Sequence, residues 1–245
     1  MTKVDVISGF LGAGKTTLIK KLLKEALLAN KDQPNCDFGK HIIPYLKAKE
    51  TAMYAYEFNG YWKDVGTLDS YWKANMGLID LVPEFNLYET YWKIYTKEEA
   101  NEPLYIAPEG HVERSLVGDG CDISGFVAGS VIGNHVQIGR GSVIRDSIIM
   151  SGTVIGDNVT IIKGILGEKC QVGDRTAIGV GDELPNCEKP DIYTNGLTAL
   201  GMSTVIPADV IIGKNAAISG QTCAADYENG RLSSGGILIR VEEKL

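Results

Sequence analysis

Aliphatic residues recur at intervals of six along the second half of the chain. The series are Ile132, Ile138 and Ile144; Ile155, Ile161, Leu166, Val172 and Ile178, with one five-residue step; and Ile206, Ile212 and Ile218. Glycine commonly follows the aliphatic residue. This period fits neither a helix, with about 3.6 residues per turn, nor hairpins, which need turns between longer strands. It predicts a solenoid in which each hexad forms one short side of a coil.

The repeated aliphatic side chain is expected to point into the coil and to stack on its equivalents in adjacent coils. Glycine, asparagine and aspartate are expected at the corners, where positive φ is needed. A glycine-rich β-sandwich is the alternative, and the number of hexads in register disfavours it. We predict the solenoid over residues 91–225, a loop insertion at 181–205 and a tail at 226–245.

The first 27 residues have a different character. Residues 4–8 predict a short buried strand and residues 15–29 predict a helix, because apolar residues recur there at helical spacing. The loop between them fits G-x-x-x-x-G-K-[ST], a phosphate-binding pattern. Its candidate nucleotide-binding residues are Gly9, Gly12, Gly14, Lys15 and Thr16.

In such a loop the backbone N–H groups hold phosphates at the helix N-terminus. Lys15 would reach the β and γ phosphates and the Thr16 hydroxyl would contact Mg²⁺. The stretch GFLGAGKTTLI resembles the opening of P-loop GTPases that act as metal chaperones and in cobalamin synthesis. A complete P-loop domain needs further parallel strands and a base-recognition motif. We therefore predict a P-loop-like strand–loop–helix over residues 1–27, without the rest of its domain.

Residues 28–90 mix helical and extended patterns. Residues 53–58 predict a strand, residues 68–80 predict a helix, and residues 81–108 form an irregular connector with three prolines. The whole chain is thus predicted to be mainly β, with a small α/β part at its N-terminus.

Composition narrows the class of protein. The net charge of −7 gives no electrostatic reason to bind nucleic acid, and no apolar run is long enough to cross a membrane. The start of the chain lacks the features of a secretion signal. Five scattered cysteines indicate reduced, structural thiols, and the three histidines do not cluster with them. We expect a cytoplasmic protein without a histidine–cysteine metal site.

Several segments resemble bacterial glucose-1-phosphate adenylyltransferases. They are DFGKHIIP at 37–44, GYWKDVGTLDSYWKANMGLID at 60–80, NLYETYWKIYT at 86–96 and KPDIYTNG at 189–196, and the hexads follow in the same order. The resemblance implies that the solenoid is a left-handed parallel β-helix and that residues 28–90 are the end of a nucleotidyltransferase domain. It also implies synthesis of ADP-glucose and pyrophosphate from ATP and glucose 1-phosphate, for glycogen, with Mg²⁺ and in a homo- or hetero-oligomer.

The resemblance also suggests site residues. Asp64 matches a carboxylate that helps to hold the catalytic Mg²⁺, which favours hard oxygen ligands. Asp37, Phe38 and Trp62 match positions that line the glucose 1-phosphate pocket. Other interpretations stay open, because Phe38 and Trp62 could pack in a core and Asp37 could cap a helix.

Complete enzymes of this family also carry a G-G-x-G-T-R-L loop for ATP, a second metal-binding aspartate and a lysine that contacts the sugar phosphate. The sequence contains no such loop, and we find no match to the other two. We therefore expect a truncated enzyme that is inactive alone, with a β-helix that serves oligomerisation and regulation.

Two other functions remain open at this point. A P-loop GTPase or ATPase fragment fused to a β-helix would lose nucleotide turnover on Lys15→Ala. Many hexad solenoids are acyltransferases with a catalytic histidine between coils, for which His111 and His135 are candidates. The segments around Asp37 and Asp64 favour the adenylyltransferase.

Overall fold

The structure is a computed structural model that describes residues 23–33, 36–50, 53, 57–87, 91 and 101–240. The chain divides into two compact units, Met1–Gly60 and Tyr61–Leu245. The candidate P-loop lies outside the described residues, so its five residues stay a prediction.

The described part of the first unit contains three helical segments. Residues 23–29 are helical, a π-helix covers Phe38–Ile42, and helix α1 covers Ile43–Ala48. Of the strand predicted over residues 53–58, residues 54–56 lie outside the described residues, and residues 53, 57 and 58 have no regular structure. The prediction for residues 54–56 therefore stays untested.

The second unit begins with a short helical region. Helix α2 covers Leu68–Met76 and a 3₁₀ turn covers Gly77–Ile79, which confirms the helix predicted over residues 68–80. Thr67 caps the helix: its side chain accepts a hydrogen bond from the Ser70 backbone N–H, and Ser70 reciprocates. This reciprocal pair satisfies N–H groups that the first helical turn leaves without partners.

The rest of the second unit is a three-sided parallel β-helix. Each side is a sheet of short strands, and along most of the solenoid a strand pairs with the third strand before and after it. The first sheet contains β1 Tyr105–Ile106, β4 Asp122–Ile123, β7 Gln137–Ile138, β10 Val154–Ile155, β13 Gln171–Val172 and β16 Val205–Ile206.

The second and third sheets run alongside it. The second contains β2 His111–Glu113, β5 Phe126–Ala128, β8 Val143–Arg145, β11 Thr160–Ile162, β14 Ala177–Val180, β17 Ile211–Gly213 and β19 Arg231–Leu232. The third contains β3 Leu116–Val117, β6 Val131–Ile132, β9 Ile148–Ile149, β12 Gly164–Leu166, β15 Thr198–Leu200, β18 Ala217–Ser219 and β20 Ile237–Ile239. Each hexad is therefore one side of a coil, as predicted.

The aliphatic residues of the hexads form the core. All eleven residues of the predicted series are buried, with Ile144, Ile161 and Ile178 at 0% exposure. The buried Cys121 and Cys170 thiols donate to the carbonyls of Gly133 and Gly201, at 3.0 and 3.1 Å. Burial raises the pKa of both thiols, as expected for structural cysteines.

The corners differ from the prediction in residue type. Positive φ occurs at glycine, asparagine and aspartate, but also at Arg114, His135, Lys163, Lys169 and Arg175. Neighbouring coils hold these corners through backbone hydrogen bonds; for example, Lys169 N–H donates to the Ser151 carbonyl at 2.9 Å. Such tertiary contacts offset a local cost of about 1 kcal/mol per left-handed residue.

Two predicted boundaries differ from the structure. The insertion covers only residues 181–197, because β15 lies within the predicted 181–205 loop and β16 begins at its last residue. The segment predicted as a tail contains β19 and β20, which pair with β17 and β18. The first strand, β1, lies where the predicted connector (81–108) and the predicted solenoid (91–225) overlap. In each case the neighbouring coil supplies hydrogen-bond partners to a segment whose own pattern is weak.

The insertion is fixed to the last coils by two asparagines. The Asn186 amide donates to the Asn215 carbonyl, and the Asn215 amide donates to the Leu184 carbonyl, both at 2.8 Å. Asn215 Oδ1 also accepts from the Gly196 N–H. These buried bonds hold the insertion against the solenoid. Among the helices that the structure describes, none is long and apolar enough to cross a membrane.

Candidate functional site

Asp64 lies in the irregular segment that immediately precedes helix α2. Its Oδ1 accepts a hydrogen bond from the Gly66 N–H at 3.0 Å, which folds the loop into a tight turn. Among the described residues, no hydrogen bond to its second oxygen is found, and the residue is exposed. One oxygen therefore shapes the loop while the other stays available to a ligand.

The two aromatic candidates are not buried in a core. Phe38 in the first unit is 51% exposed, and Trp62 in the second unit is 54% exposed. The core-packing interpretation therefore fails for both residues. Exposed aromatic faces are compatible with covering a sugar ring.

Asp37 caps a helix, which was one of its two interpretations. Its Oδ1 accepts from the Lys40 N–H at 2.7 Å at the start of the π-helix, and its own N–H donates to His41 Nδ1 at 2.9 Å. Asp37 adjoins Phe38 in the first unit, whereas Trp62 and Asp64 belong to the second. The predicted sugar-binding residues are thus divided between the two units.

Helix α2 fixes the Asp64 segment to the β-helix. Its apolar face packs on Ile148, Ile165 and Leu197; the helix residues are Leu68, Tyr71, Trp72 and Met76. The Trp72 indole N–H donates to the Asp146 carbonyl at 2.7 Å. The sequence predicted a helix here, but nothing in the sequence identified the surface on which it packs.

Charged residues lie on and around helix α2 where it packs on the β-helix. The sequence did not point to them. Asp69 pairs with Lys73 at 2.7 Å. Mainly through that bond, and also through Asn195 and Lys163, the pKa of the Asp69 carboxyl lies below its ordinary value. The Lys163 ammonium lies 5.6 Å from the centre of the Trp72 ring.

A pocket of about 330 Å³ lies beside the Asp64 segment in the second unit. Tyr61 and Phe85 stack in its wall with ring centres 5.0 Å apart, and Lys63 and Lys73 also line it. Trp62 and Asp64 are not among the lining residues. The pocket is therefore not the one that the sequence predicted.

The residues around Asp64 provide only part of a metal-binding site. The described residues contain no group of three or more histidine, cysteine, aspartate or glutamate side chains arranged to hold a metal. Magnesium at phosphates is commonly held by one or two carboxylates together with phosphate oxygens. The free oxygen of Asp64 therefore fits one ligand of such a site but not a complete site.

The two histidines of the acyltransferase alternative both have neighbours. His135 Nε2 lies 3.0 Å from Asn101 Oδ1, and the His111 ring stacks on Phe126 with ring centres 5.4 Å apart. These contacts place both rings on the outer surface of the solenoid. They show no feature specific to acyl transfer.

Two family models match the chain. A nucleotidyl transferase model matches residues 6–80, and a GlmU-like, C-terminal hexapeptide model matches residues 105–200. The first match extends into the segment assigned above to a P-loop, and the P-loop GTPase resemblance is not shown.

Known proteins similar to the chain are glucose-1-phosphate adenylyltransferases. The one from Lachnospira eligens is 54% identical over 220 residues, 90% of this chain and 52% of its own length. Those from Acetivibrio thermocellus and Thermotoga maritima are each 41% identical, over 90% and 91% of this chain and 52% and 53% of their own length. The chain spans about half the length of the curated relatives that it matches.

The three-sided solenoid, the matching hexapeptide model and the segment around Asp64 agree with these similarities. Over about nine-tenths of its own length, the chain is therefore homologous to glucose-1-phosphate adenylyltransferases.

Proposed function

We propose that the chain contributes the sugar-phosphate side and the β-helix of a glucose-1-phosphate adenylyltransferase. The observation that carries this proposal is the homology to these enzymes over 90% of the chain. The exposed Asp64 segment, anchored by α2, is consistent with it. The nucleotide side of the reaction would be supplied by the part of the relatives that this chain does not match.

In the reaction, a phosphate oxygen of glucose 1-phosphate attacks the α-phosphorus of ATP. A new P–O bond forms, the bond to the β-phosphate breaks, and pyrophosphate leaves. Bound Mg²⁺ would neutralise charge on the phosphates. Asp64 would supply one carboxylate oxygen to it, and Trp62 would cover the sugar ring.

A chimera tests this function. Residues 28–240 of this chain replace the matching segment of the Lachnospira eligens enzyme, which is 54% identical. We expect this chimera to form ADP-glucose at a rate within about tenfold of the parent, since the segment keeps the Asp64 loop and its support. The measurement is pyrophosphate release with ATP and glucose 1-phosphate.

The chain alone is the matched control, and we expect it to form no measurable ADP-glucose. A chimera that folds like its parent but forms no ADP-glucose would contradict the proposed function. Activity of the chain alone would show instead that it needs no added nucleotide half.

We further propose that the β-helix associates with complete adenylyltransferase subunits. A row of mostly apolar residues lies on the outer face of the second sheet, where the strands align in register: Phe126, Val143, Thr160, Ala177 and Ile211. All are partly exposed. A flat apolar row of this kind offers an association surface.

Light scattering after size-exclusion chromatography tests the association. A mixture of the chain with the Lachnospira eligens enzyme is expected to give a mixed species, and Phe126→Arg is expected to abolish it. Gln137→Arg, on the exposed face of the first sheet, is the matched control and should leave the mixed species intact. Absence of any mixed species for the unmodified chain would refute the proposal.

A further inference from the structure

The loop that carries Asp64 is continuous with helix α2. The Asp64 turn closes at Gly66, and the next residue, Thr67, caps the helix by accepting from the Ser70 N–H at 3.1 Å. Only two hydrogen-bonded turns therefore separate the carboxylate from the first turn of α2. The loop and the helix therefore form one continuous hydrogen-bonded segment.

The position of α2 depends on two corners of the β-helix. Asp146 and Lys163 are equivalent corners of successive coils, and both have positive φ. The Lys163 N–H donates to the Arg145 carbonyl at 3.1 Å, which fixes one corner on the other. Trp72 contacts both, through its hydrogen bond to the Asp146 carbonyl and through the Lys163 ammonium near its ring.

Lys163 also reaches the insertion at 181–197. Its Nζ lies 3.4 Å from the Asn195 carbonyl oxygen. It thus joins three elements: helix α2, a coil corner and the insertion. A lysine ammonium near the face of an indole ring is attracted by the negative potential of that face. The indole N–H adds a hydrogen bond to the Asp146 carbonyl.

We propose that Trp72 and Lys163 are positioning residues for Asp64. They fix the rotation of α2 on the β-helix and thereby the direction of the Asp64 carboxylate. The catalytic part of this inference rests on the proposed function, whereas the mechanical part does not. Neither residue is proposed to touch the phosphates or the metal ion.

Two variants remove the contacts while keeping an apolar side chain at each position. Lys163→Met keeps the aliphatic stem and removes the ammonium group. Trp72→Phe keeps an aromatic ring and removes the donor to Asp146. The matched control is Lys169→Met, because Lys169 is also a corner lysine with positive φ (58° against 50° for Lys163) but does not belong to the α2 contact.

The first readout is amide ¹⁵N relaxation of residues 64–67 in the full chain. We expect order parameters that fall from about 0.85 to below about 0.6 in Lys163→Met and Trp72→Phe. Lys169→Met should match the unmodified chain, and Lys163→Arg should restore the rigid value. The thermal unfolding of the β-helix should be unchanged in all four variants.

The second readout is the kinetics of the active chimera. Lys163→Met and Trp72→Phe are expected to lower kcat between about 10- and 100-fold with little change in KM, because misplacement of a catalytic group by about 1 Å has this effect. Lys163→Arg should recover most of kcat.

The outcomes separate the two proposals. Unchanged order parameters in both variants would overturn the positioning role, and so would a kcat within twofold of the active parent. An inactive parent chimera would contradict the proposed function alone. With an inactive chimera, the order parameters of residues 64–67 alone would test the positioning role.

Discussion

Replacement of Asp64 by asparagine in the chimera is expected to lower kcat for ADP-glucose formation by about 10³-fold, since a lost metal ligand removes several kcal/mol of charge stabilisation. Asparagine keeps an Oδ1 that can accept from the Gly66 N–H, so the turn should persist. The variant therefore removes the charge without unfolding the loop. The measurements are kcat against Mg²⁺ concentration and Mn²⁺ binding followed by electron paramagnetic resonance.

Asp122→Asn is the control for this prediction. Asp122 is an exposed carboxylate on β4, paired in register with Tyr105 and Gln137. Its replacement by asparagine removes the same charge, but from the outer surface of the solenoid. We expect unchanged kcat and Mn²⁺ binding. If Asp64→Asn behaves like this control, Asp64 serves only to shape the turn and the metal is held elsewhere.

The central coils of the β-helix were predictable because the same inward packing of aliphatic residues repeats in each coil. Each coil places one aliphatic residue per side at the same inward position, so Ile144, Ile161 and Ile178 could be assigned to the core from their spacing alone. The ends of the solenoid could not be assigned in this way. Strands β19 and β20 depend on pairing with the preceding coil more than on their own pattern.

The corners of the coils were also only partly predictable from the sequence. Lys163 and Arg175 adopt positive φ although neither type favours it, because backbone hydrogen bonds to adjacent coils fix their conformation. No local propensity encodes such bonds. The pattern predicted where the chain turns but not which residues tolerate the turn.

The candidate site was less predictable than the fold. The resemblance pointed to Asp64 and Trp62, whereas periodicity gave no information about either. Helix α2 itself was predicted, but its apolar face and the partner of that face were not. Trp72 and Asp146 are 74 positions apart, and only the coiling of the chain brings them together.

The core itself gives the last prediction. Ile161→Ala should lower the free energy of unfolding by about 3–4 kcal/mol, whereas Ile162→Ala should cost about 1 kcal/mol or less. Ile161 is fully buried and aligns with Ile144 and Ile178 in the neighbouring strands. The parallel ladder holds those strands in place, so the cavity cannot collapse. Ile162, on the same strand, faces outward and is partly exposed. Urea unfolding at 25 °C measures both values, and an equal cost for the two substitutions would mean that inward stacking does not hold this solenoid together.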